Sequence, residues 1–256
     1  MSCSIVYENV HYTYRDGTEA LRGMSFTLKH GEHVALLGPN GAGKSTAMLL
    51  SNGVLMPTSG EVRVGDLTLG KETLVRIRER VGLVFQDPDD QLFMTTVYDD
   101  VAFGPRNMKL SREEVEERVT EALEAVSLLH AKSKAPQDLS FGQKKRAALA
   151  TILAMQPDFL ILDEPSSNLD PQGRRQMMAL LSDIHATMLI ATHDLDLAWE
   201  LLPRSIIIDE GMIVADGPTR ELLHDEALLA AHGLELPSAV RYSSVAHAQA
   251  CATGSK

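Results

Sequence analysis

Eight consecutive residues, Gly38-Pro39-Asn40-Gly41-Ala42-Gly43-Lys44-Ser45, carry the pattern G-x4-G-K-[ST], and their types define an anion site. Glycines let successive backbone N–H groups turn inward, and a helix beginning near Lys44 adds the positive end of its dipole. In such a cradle Lys44 neutralises the β- and γ-phosphates of a nucleotide, Ser45 holds Mg²⁺ and Thr46 adds a hydroxyl near the α-phosphate. Further along, Phe159-Leu160-Ile161-Leu162-Asp163-Glu164 is an apolar run ending in two acids. A buried strand cannot end in a carboxylate without a partner, and a metal ion beside a triphosphate is a natural one. Asp163 is placed to anchor Mg²⁺ through its water shell, and Glu164, one residue on, to polarise an attacking water as general base. His193 follows the strand-like run 188–192 and could contact the γ-phosphate and that water. A histidine at a strand end is commonly structural, so His193 takes its functional reading from its company.

The cradle needs a strand before it and a helix after it. Residues 34–37 form a short apolar run that stops at Gly38, and a helical pattern starts near Lys44. Other strand-like segments lie at 5–14, 25–29, 61–64 and 81–85, with the turn Pro57-Thr58-Ser59-Gly60 before the third of these. From Ser111 the character changes. Ser111 and Glu114 form a capping-box pair, and Val115, Val119, Ala122, Leu123 and Val126 recur at helical spacing. Strands at 159–162, 188–191 and 205–208 then alternate with helices at 171–185 and through Trp199, the alternation of a parallel α/β sheet. This predicts an α/β nucleotide-binding core, interrupted at about 87–157 by a mainly helical subdomain. After Leu236 the chain is rich in Ser and Ala without periodicity, which predicts a loose tail over 237–256.

Composition narrows the partners. With 256 residues, 44% hydrophobic and 23% charged, the chain has a globular composition. Its 24 basic against 35 acidic residues give a net charge of −11, which leaves no global positive field and argues against nucleic acid as a partner. No apolar run reaches the roughly 18 residues of a membrane-spanning helix. The start MSCSIVYENV lacks the basic and apolar regions of a secretory signal, and Cys3 and Cys251 stand alone at opposite ends, so a reduced, cytoplasmic setting is expected. His30 and His33 lack metal-site spacing, and Met177-Met178 read as core filler.

One further segment points to a family. Leu139-Ser140-Phe141-Gly142-Gln143, followed by Lys144, Lys145 and Arg146, resembles the LSGGQ signature of ABC ATPases. Gln86 resembles their Q-loop glutamine, Ser167-Asn168-Leu169-Asp170 their D-loop, His193 their switch histidine and Tyr14 their adenine-stacking aromatic, all in the family's order. The signature departs from the family at Phe141, where a glycine is usual, while Ser140 and Gly142 keep the two groups that contact phosphate. The resemblance implies a P-loop, RecA-like α/β core with an N-terminal antiparallel β subdomain and an inserted α-helical signature subdomain, together spanning residues 1–236. It also implies ATP and Mg²⁺ as ligands, with Gln86 joining Ser45 and Asp163 at the metal. Glu164, His193, Gln86 and Lys44 would carry hydrolysis. Ser140, Gly142 and Gln143, with Asp170 nearby, would close in trans over ATP held by another subunit, in a homodimer or a heterodimer with a related chain. A small-molecule kinase would not need a signature peptide. A chromosome or repair ATPase would carry a long heptad arm where only residues 87–139 stand, and ribosome-associated relatives usually carry two cassettes. The remaining reading is the ATP-driving subunit of a transporter, peripheral on the cytoplasmic face of the cell membrane.

The stretch Asp87-Pro88-Asp89-Asp90-Gln91-Leu92-Phe93, continued through Phe103-Gly104-Pro105, reads by itself as a solvated turn. As a whole it closely resembles the Q-helix region of energy-coupling-factor transporter ATPases, including the CbiO-type subunits of cobalt uptake systems. Segment 224–237, with its HGLELP, is similar to CbiO chains as well. This implies that Asp89, Asp90, Gln91 and Phe93 dock on an integral membrane scaffold protein, with Leu92 and Phe93 as an exposed apolar pair. A substrate-binding membrane component would be contacted only indirectly. Cobalt is the first expectation for the cargo, with nickel and then a vitamin behind it. A soluble ABC ATPase outside transport is the alternative.

Overall fold

Phe159, Leu160, Ile161 and Leu162, the apolar run before the two acids, are all buried, so the fold covers both faces of that strand. In the computed structural model, which describes residues 4–241, β1 (Ser4–Thr13), β2 (Glu19–Lys29), β4 (Ser59–Val64) and β5 (Leu67–Thr68) pair antiparallel in the order β2-β1-β4-β5. A six-stranded sheet runs β10-β9-β3-β8-β7-β6. It is built from β3 (His33–Leu37), β6 (Val81–Val84), β7 (Phe159–Asp163), β8 (Thr187–Thr192), β9 (Arg204–Asp209) and β10 (Met212–Pro218). Its pairs are parallel except at the edge, where β10 runs antiparallel to β9. Alternate side chains enter different cores, as the two-residue period of a strand requires. Val34, Leu36, Phe159, Ile161, Leu189 and Ala191 join the core shared with the antiparallel sheet. Ala35, Leu37, Leu160, Leu162 and Ile190 join the core on the helical side. Continuous apolar runs in these strands are what burial of both faces demands.

Helix α1 (Lys44–Ser51) lies under the antiparallel sheet and is pinned by it. The Tyr7 hydroxyl donates to the Ala47 carbonyl at 2.6 Å and shares a hydrogen bond with Ser51 Oγ at 2.8 Å. Burial pushes that phenol far above its ordinary range. Helix α2 (Leu74–Arg80) leads into β6. Between β6 and β7 the chain forms α3 (Val97–Asn107), α4 (Arg112–Ala125) and α5 (Phe141–Leu153), which pack on one another. Helix α4 starts with the expected capping box of Ser111 and Glu114. Helix α5 starts the same way. Ser140 Oγ accepts from the Gln143 N–H at 3.3 Å, and Gln143 Oε1 accepts from the Ser140 N–H at 3.0 Å. The S-x-x-Q spacing is the local signal for that start, and the signature resemblance leaves it unused. Helices α6 (Pro171–Ser182) and α7 (Leu195–Leu201) flank β8, and α8 (Thr219–Leu222) and α9 (Glu226–Ala231) follow β10.

Three expectations need correction. The strand expected at 25–29 begins at Glu19, because bulged pairing with β1 continues to Thr13 opposite Glu19. The helix expected at 171–185 ends at Ser182. Residues 237–241, expected as the start of a loose tail, are bound: the Ser238 N–H and Oγ donate to Asp196 at 2.6 and 2.8 Å, and Val240 is buried. Their partner is a carboxylate on α7, which a local pattern cannot reveal. The rest of that expectation, residues 242–256, lies outside the described residues, as do Cys3 and Cys251. Among the described residues no helix is long and apolar enough to cross a membrane.

Candidate active site

The cradle turns between β3 and α1, and two of its glycines are dictated by neighbouring backbone. A Cβ on Gly38, at φ +153°, would fall 2.2 Å from the Ile208 carbonyl oxygen, and one on Gly43, at φ +103°, would fall 2.5 Å from that of Ala20. Gly43 caps α1 without any side-chain bond, so the first N–H groups of that helix face the cradle. The Ala42 N–H donates to the Pro39 carbonyl at 3.2 Å. Lys44 Nζ donates to the carbonyls of Gly38 at 2.6 Å and Pro39 at 2.9 Å. Burial lowers its pKa, and the charges of Glu164 and Asp163 oppose that shift.

A cavity of about 440 Å³ opens over this turn, and Tyr14, Asn40, Gly41, Gln86, Asp163, Glu164 and His193 share its lining with Lys44, Ser45 and Thr46. The structure thus brings into one place the cradle, both acids, the glutamine and the histidine, although β7 and β8 stand far from the cradle in sequence. Asp163 ends β7 and accepts a hydrogen bond from Ser45. Burial raises its pKa against that bond, and nearby Glu164 raises it further. A hydroxyl, a carboxylate and the Gln86 amide form the hard oxygen donor set that suits Mg²⁺, so these residues fit that ion.

Glu164 is 5% exposed and sits at φ +46°, left-handed for a residue with a side chain. Such strain persists only where the surroundings over-determine it, and here they do. Its N–H donates to Ala191 O at 2.9 Å. One carboxylate oxygen accepts from the His193 N–H at 2.9 Å and from His193 Nδ1 at 2.6 Å, while the other accepts from Thr192 Oγ1 at 2.9 Å. A carboxylate only accepts, so this bond places the proton on Nδ1 and leaves Nε2 as the free ring nitrogen. The segment carrying His193 is clamped from behind, because Asp194 caps α7 and receives two bonds from Arg174 on α6, at 3.0 and 3.2 Å. Thr192 and Arg174 escaped the sequence reading, since neither belongs to a motif that specifies its partner. Tyr14 is partly exposed at the rim, and its hydroxyl bonds to Thr46 Oγ1 at 2.9 Å, which engages the hydroxyl expected near the α-phosphate.

Ser140, Gly142, Gln143 and Asp170 are not at this cavity. They line a second groove of about 360 Å³, together with Arg146 and Gln176. Asp170 caps α6 by accepting from the Gly173 N–H at 2.6 Å. A Cβ on Gly142 would meet Leu169 at an ordinary 3.5 Å, so packing within the chain does not demand glycine there. Phe141 begins α5 with its ring 5.7 Å from Lys145 Nζ.

The segment after Gln86 departs from expectation. Leu92 is 8% exposed and belongs to the helical-side core. Gln91 also turns inward: Oε1 accepts from the Phe85 N–H at 3.1 Å, and Nε2 donates to Ala148 O and Thr151 Oγ1, both at 2.8 Å. The exposed apolar pair is Phe93, 63% exposed, with Phe103, 41% exposed, their rings edge to face at 5.1 Å. Buried Asp100 holds this face in place by accepting from the N–H groups of Phe93 and Met94, both at 3.0 Å. Asp89 pairs with Lys144 at 2.7 Å, and Asp90 is exposed.

The family model for ABC transporters matches residues 21–167, more than half of the chain. The energy-coupling factor transporter ATP-binding protein EcfA of Methanocaldococcus jannaschii is 47% identical over 235 residues, 90% of this chain and 84% of that protein. Among solved structures, cbiO1 from Clostridium perfringens, described as part of the ABC transporter complex cbiONQ, superposes with a TM-score of 0.80 at 39% identity, covering 95% of this chain and 100% of its own. A dimeric ATP-binding cassette in a post-hydrolysis state, bound to ADP and Pi, superposes with a TM-score of 0.76 at 30% identity, covering 84% and 99%. At this identity and coverage the cradle's chemistry becomes an assignment: the chain belongs to the ABC transporter family and is an ATP-binding, ATP-hydrolysing member of it.

Proposed function

We propose that the chain is the ATP-driving subunit of an energy-coupling-factor importer, acting as a head-to-tail dimer on the cytoplasmic face of the membrane. The observation that carries the dimer is the separation of two surfaces within one chain: the cradle with Lys44 and Glu164, and the groove of Ser140 and Gly142. Each surface is half of a nucleotide site, and two copies facing one another complete both halves. The importer reading draws on the likeness to EcfA and cbiO1.

Within one composite site, the cradle N–H groups and Lys44 bind the phosphates, and Tyr14 stacks on the adenine. Ser45, Asp163 and Gln86 would hold Mg²⁺, which would supply countercharge to the phosphates. Glu164 takes the proton of the attacking water, and His193 Nε2 faces the γ-phosphate while Nδ1 stays bonded to Glu164. From the other protomer, Ser140, the Gly142 N–H and Gln143 close over the same γ-phosphate, with Asp170 capping the helix beside them.

Docking to a membrane scaffold falls to Phe93 and Phe103, with Asp89 and Asp90 alongside. Gln91 and Leu92 act beneath that face by holding it to α5 and the core. An exposed aromatic pair beside acids suits a partner helix with an apolar stripe and basic residues. Phe93→Ser removes an aromatic anchor, so recovery of the chain with its membranes falls by about tenfold or more while basal ATPase in solution stays within about twofold. Unchanged recovery and transport with that variant would show that the pair is ordinary surface.

Cobalt comes first as the cargo, on the similarity of residues 86–105 and 224–237 to CbiO-type chains, with nickel second and a vitamin behind. The cargo site belongs to another polypeptide, and among the described residues no group of three or more His, Cys, Asp or Glu could hold a metal. The isolated chain therefore binds Mg²⁺ with nucleotide but shows no stoichiometric, nucleotide-independent Co²⁺ site in equilibrium dialysis. In cells with the whole transporter, Glu164→Gln abolishes radiolabelled cobalt uptake. Persistent cobalt uptake alongside loss of a vitamin's uptake reverses the ranking.

A further inference from the structure

Lys145 is a buried lysine that the account of the nucleotide site leaves unused. It is 4% exposed, in the second turn of α5. Its Nζ donates to the backbone carbonyl of Glu164 at 2.6 Å and to Ser167 Oγ at 2.9 Å. Burial draws its pKa down to about 8, against the pull of the Glu164, Asp163 and Asp87 charges. An ammonium taken out of water is costly, and a methionine would fill the same space without that cost. The Glu164 carbonyl does not need the lysine, because it already accepts from Ser167 Oγ at 2.8 Å and from the Ser167 N–H at 3.2 Å. What Lys145 adds is a bond between elements. On one side is α5, a rigid helix whose cap is Ser140. On the other is the left-handed turn that sets the direction of the Glu164 carboxylate. The Phe141 ring lies 5.7 Å from the ammonium and can favour its charge through the ring face.

We propose that Lys145 is a positioning residue that couples the two nucleotide sites of the dimer, by tying the helix that meets the partner's ATP to the turn that aims Glu164 at its own. This rests on the head-to-tail dimer proposed above. When α5 shifts as Ser140 engages the opposite nucleotide, Nζ carries that shift to the Glu164 carbonyl across a single hydrogen bond. A protomer whose signature is engaged thus has its own general base set, and hydrolysis depends cooperatively on ATP. Phe141, the departure from the family signature, takes part through its ring face toward the charge.

The test uses the full chain with Lys145→Met and Lys145→Arg. Fluorescent-nucleotide binding checks the cradle, and ATP-induced dimerisation is measured with each change combined with Glu164→Gln. Lys145→Met keeps binding and dimerisation, loses about ten- to a hundredfold in kcat because the base is misplaced, and brings the Hill coefficient for ATP down to about one. Lys145→Arg, which keeps the charge and two or more donors, restores the cooperativity. The same Hill coefficient in Lys145→Met as in the parent overturns the proposal, whatever happens to kcat, since a purely structural role would lower the rate without touching cooperativity. Should Lys145→Met fail to bind nucleotide, Lys145→Gln replaces it under the same criteria. If Glu164→Gln alone forms no ATP-dependent dimer, the sandwich itself fails and takes this coupling with it.

Discussion

Glu164→Gln slows ATP hydrolysis by at least about a hundredfold, the low end of what a positioned general base contributes, while nucleotide binding survives. The geometry explains why shape is kept and chemistry is lost. The amide oxygen can still accept from the His193 N–H and Nδ1, as one Glu164 oxygen does now. The amide nitrogen takes the place of the oxygen that accepts from Thr192, whose hydroxyl also accepts from the Asp194 N–H at 3.0 Å and can turn its own proton aside. The amide itself cannot receive a proton from water, and the His193 ring and Asp163 are not placed as Glu164 is at the end of its turn. The strained turn at φ +46° keeps its bond to Ala191, so the strand end does not relax. Phosphate release with Mg²⁺ and ATP measures the rate, and size exclusion with ATP shows the trapped dimer. Near-normal turnover would remove Glu164 from the chemistry.

Ser140→Arg abolishes turnover with loss of comparable size, and nucleotide still binds to the cradle. Ser140 lies outside the cradle's cavity, so a change there cannot obstruct binding within the same chain. Losing its cap bond to Gln143 costs about 1 kcal/mol, which a folded domain tolerates. The added side chain fills the groove that has to receive the opposing γ-phosphate. Lys44→Ala behaves differently, weakening nucleotide affinity, because it removes the ammonium within the cradle. Mixing the two inactive proteins forms heterodimers with one intact composite site, and activity above the sum of the separate proteins demonstrates action in trans. The extent of that recovery also reports coupling, since the intact cradle then belongs to the protomer whose own signature is blocked. Full activity of Ser140→Arg alone would defeat the sandwich.

The cradle, the two acids and the capping box at Ser111 were legible because their chemistry is local. An anion nest is made by N–H groups within eight consecutive residues, and a cap by residues three apart, so the pattern of types determines the geometry. The alternation of strands and helices was legible for the same reason, since strands buried on both faces must be apolar throughout. The resemblance in the signature and D-loop added which surfaces meet ATP.

Other features were decided only when the chain folded. Gln91 and Leu92 face inward and Phe103 joins Phe93, because packing of α3 against α5 leaves that face open and closes the other. The polar residues of 237–241 are held by Asp196, and the link from Lys145 to Glu164 crosses from one helix to the end of a strand. In the sheet order β10-β9-β3-β8-β7-β6, the strands beside the cradle's own strand are β8 and β9, which come late in the chain. Sequence by itself determined which residues can bind phosphate, hold a cation or take a proton. The tertiary structure decided which of them meet, because hydrogen bonds and burial depend on distance in space, and the crossovers of a parallel sheet make that distance independent of separation along the chain.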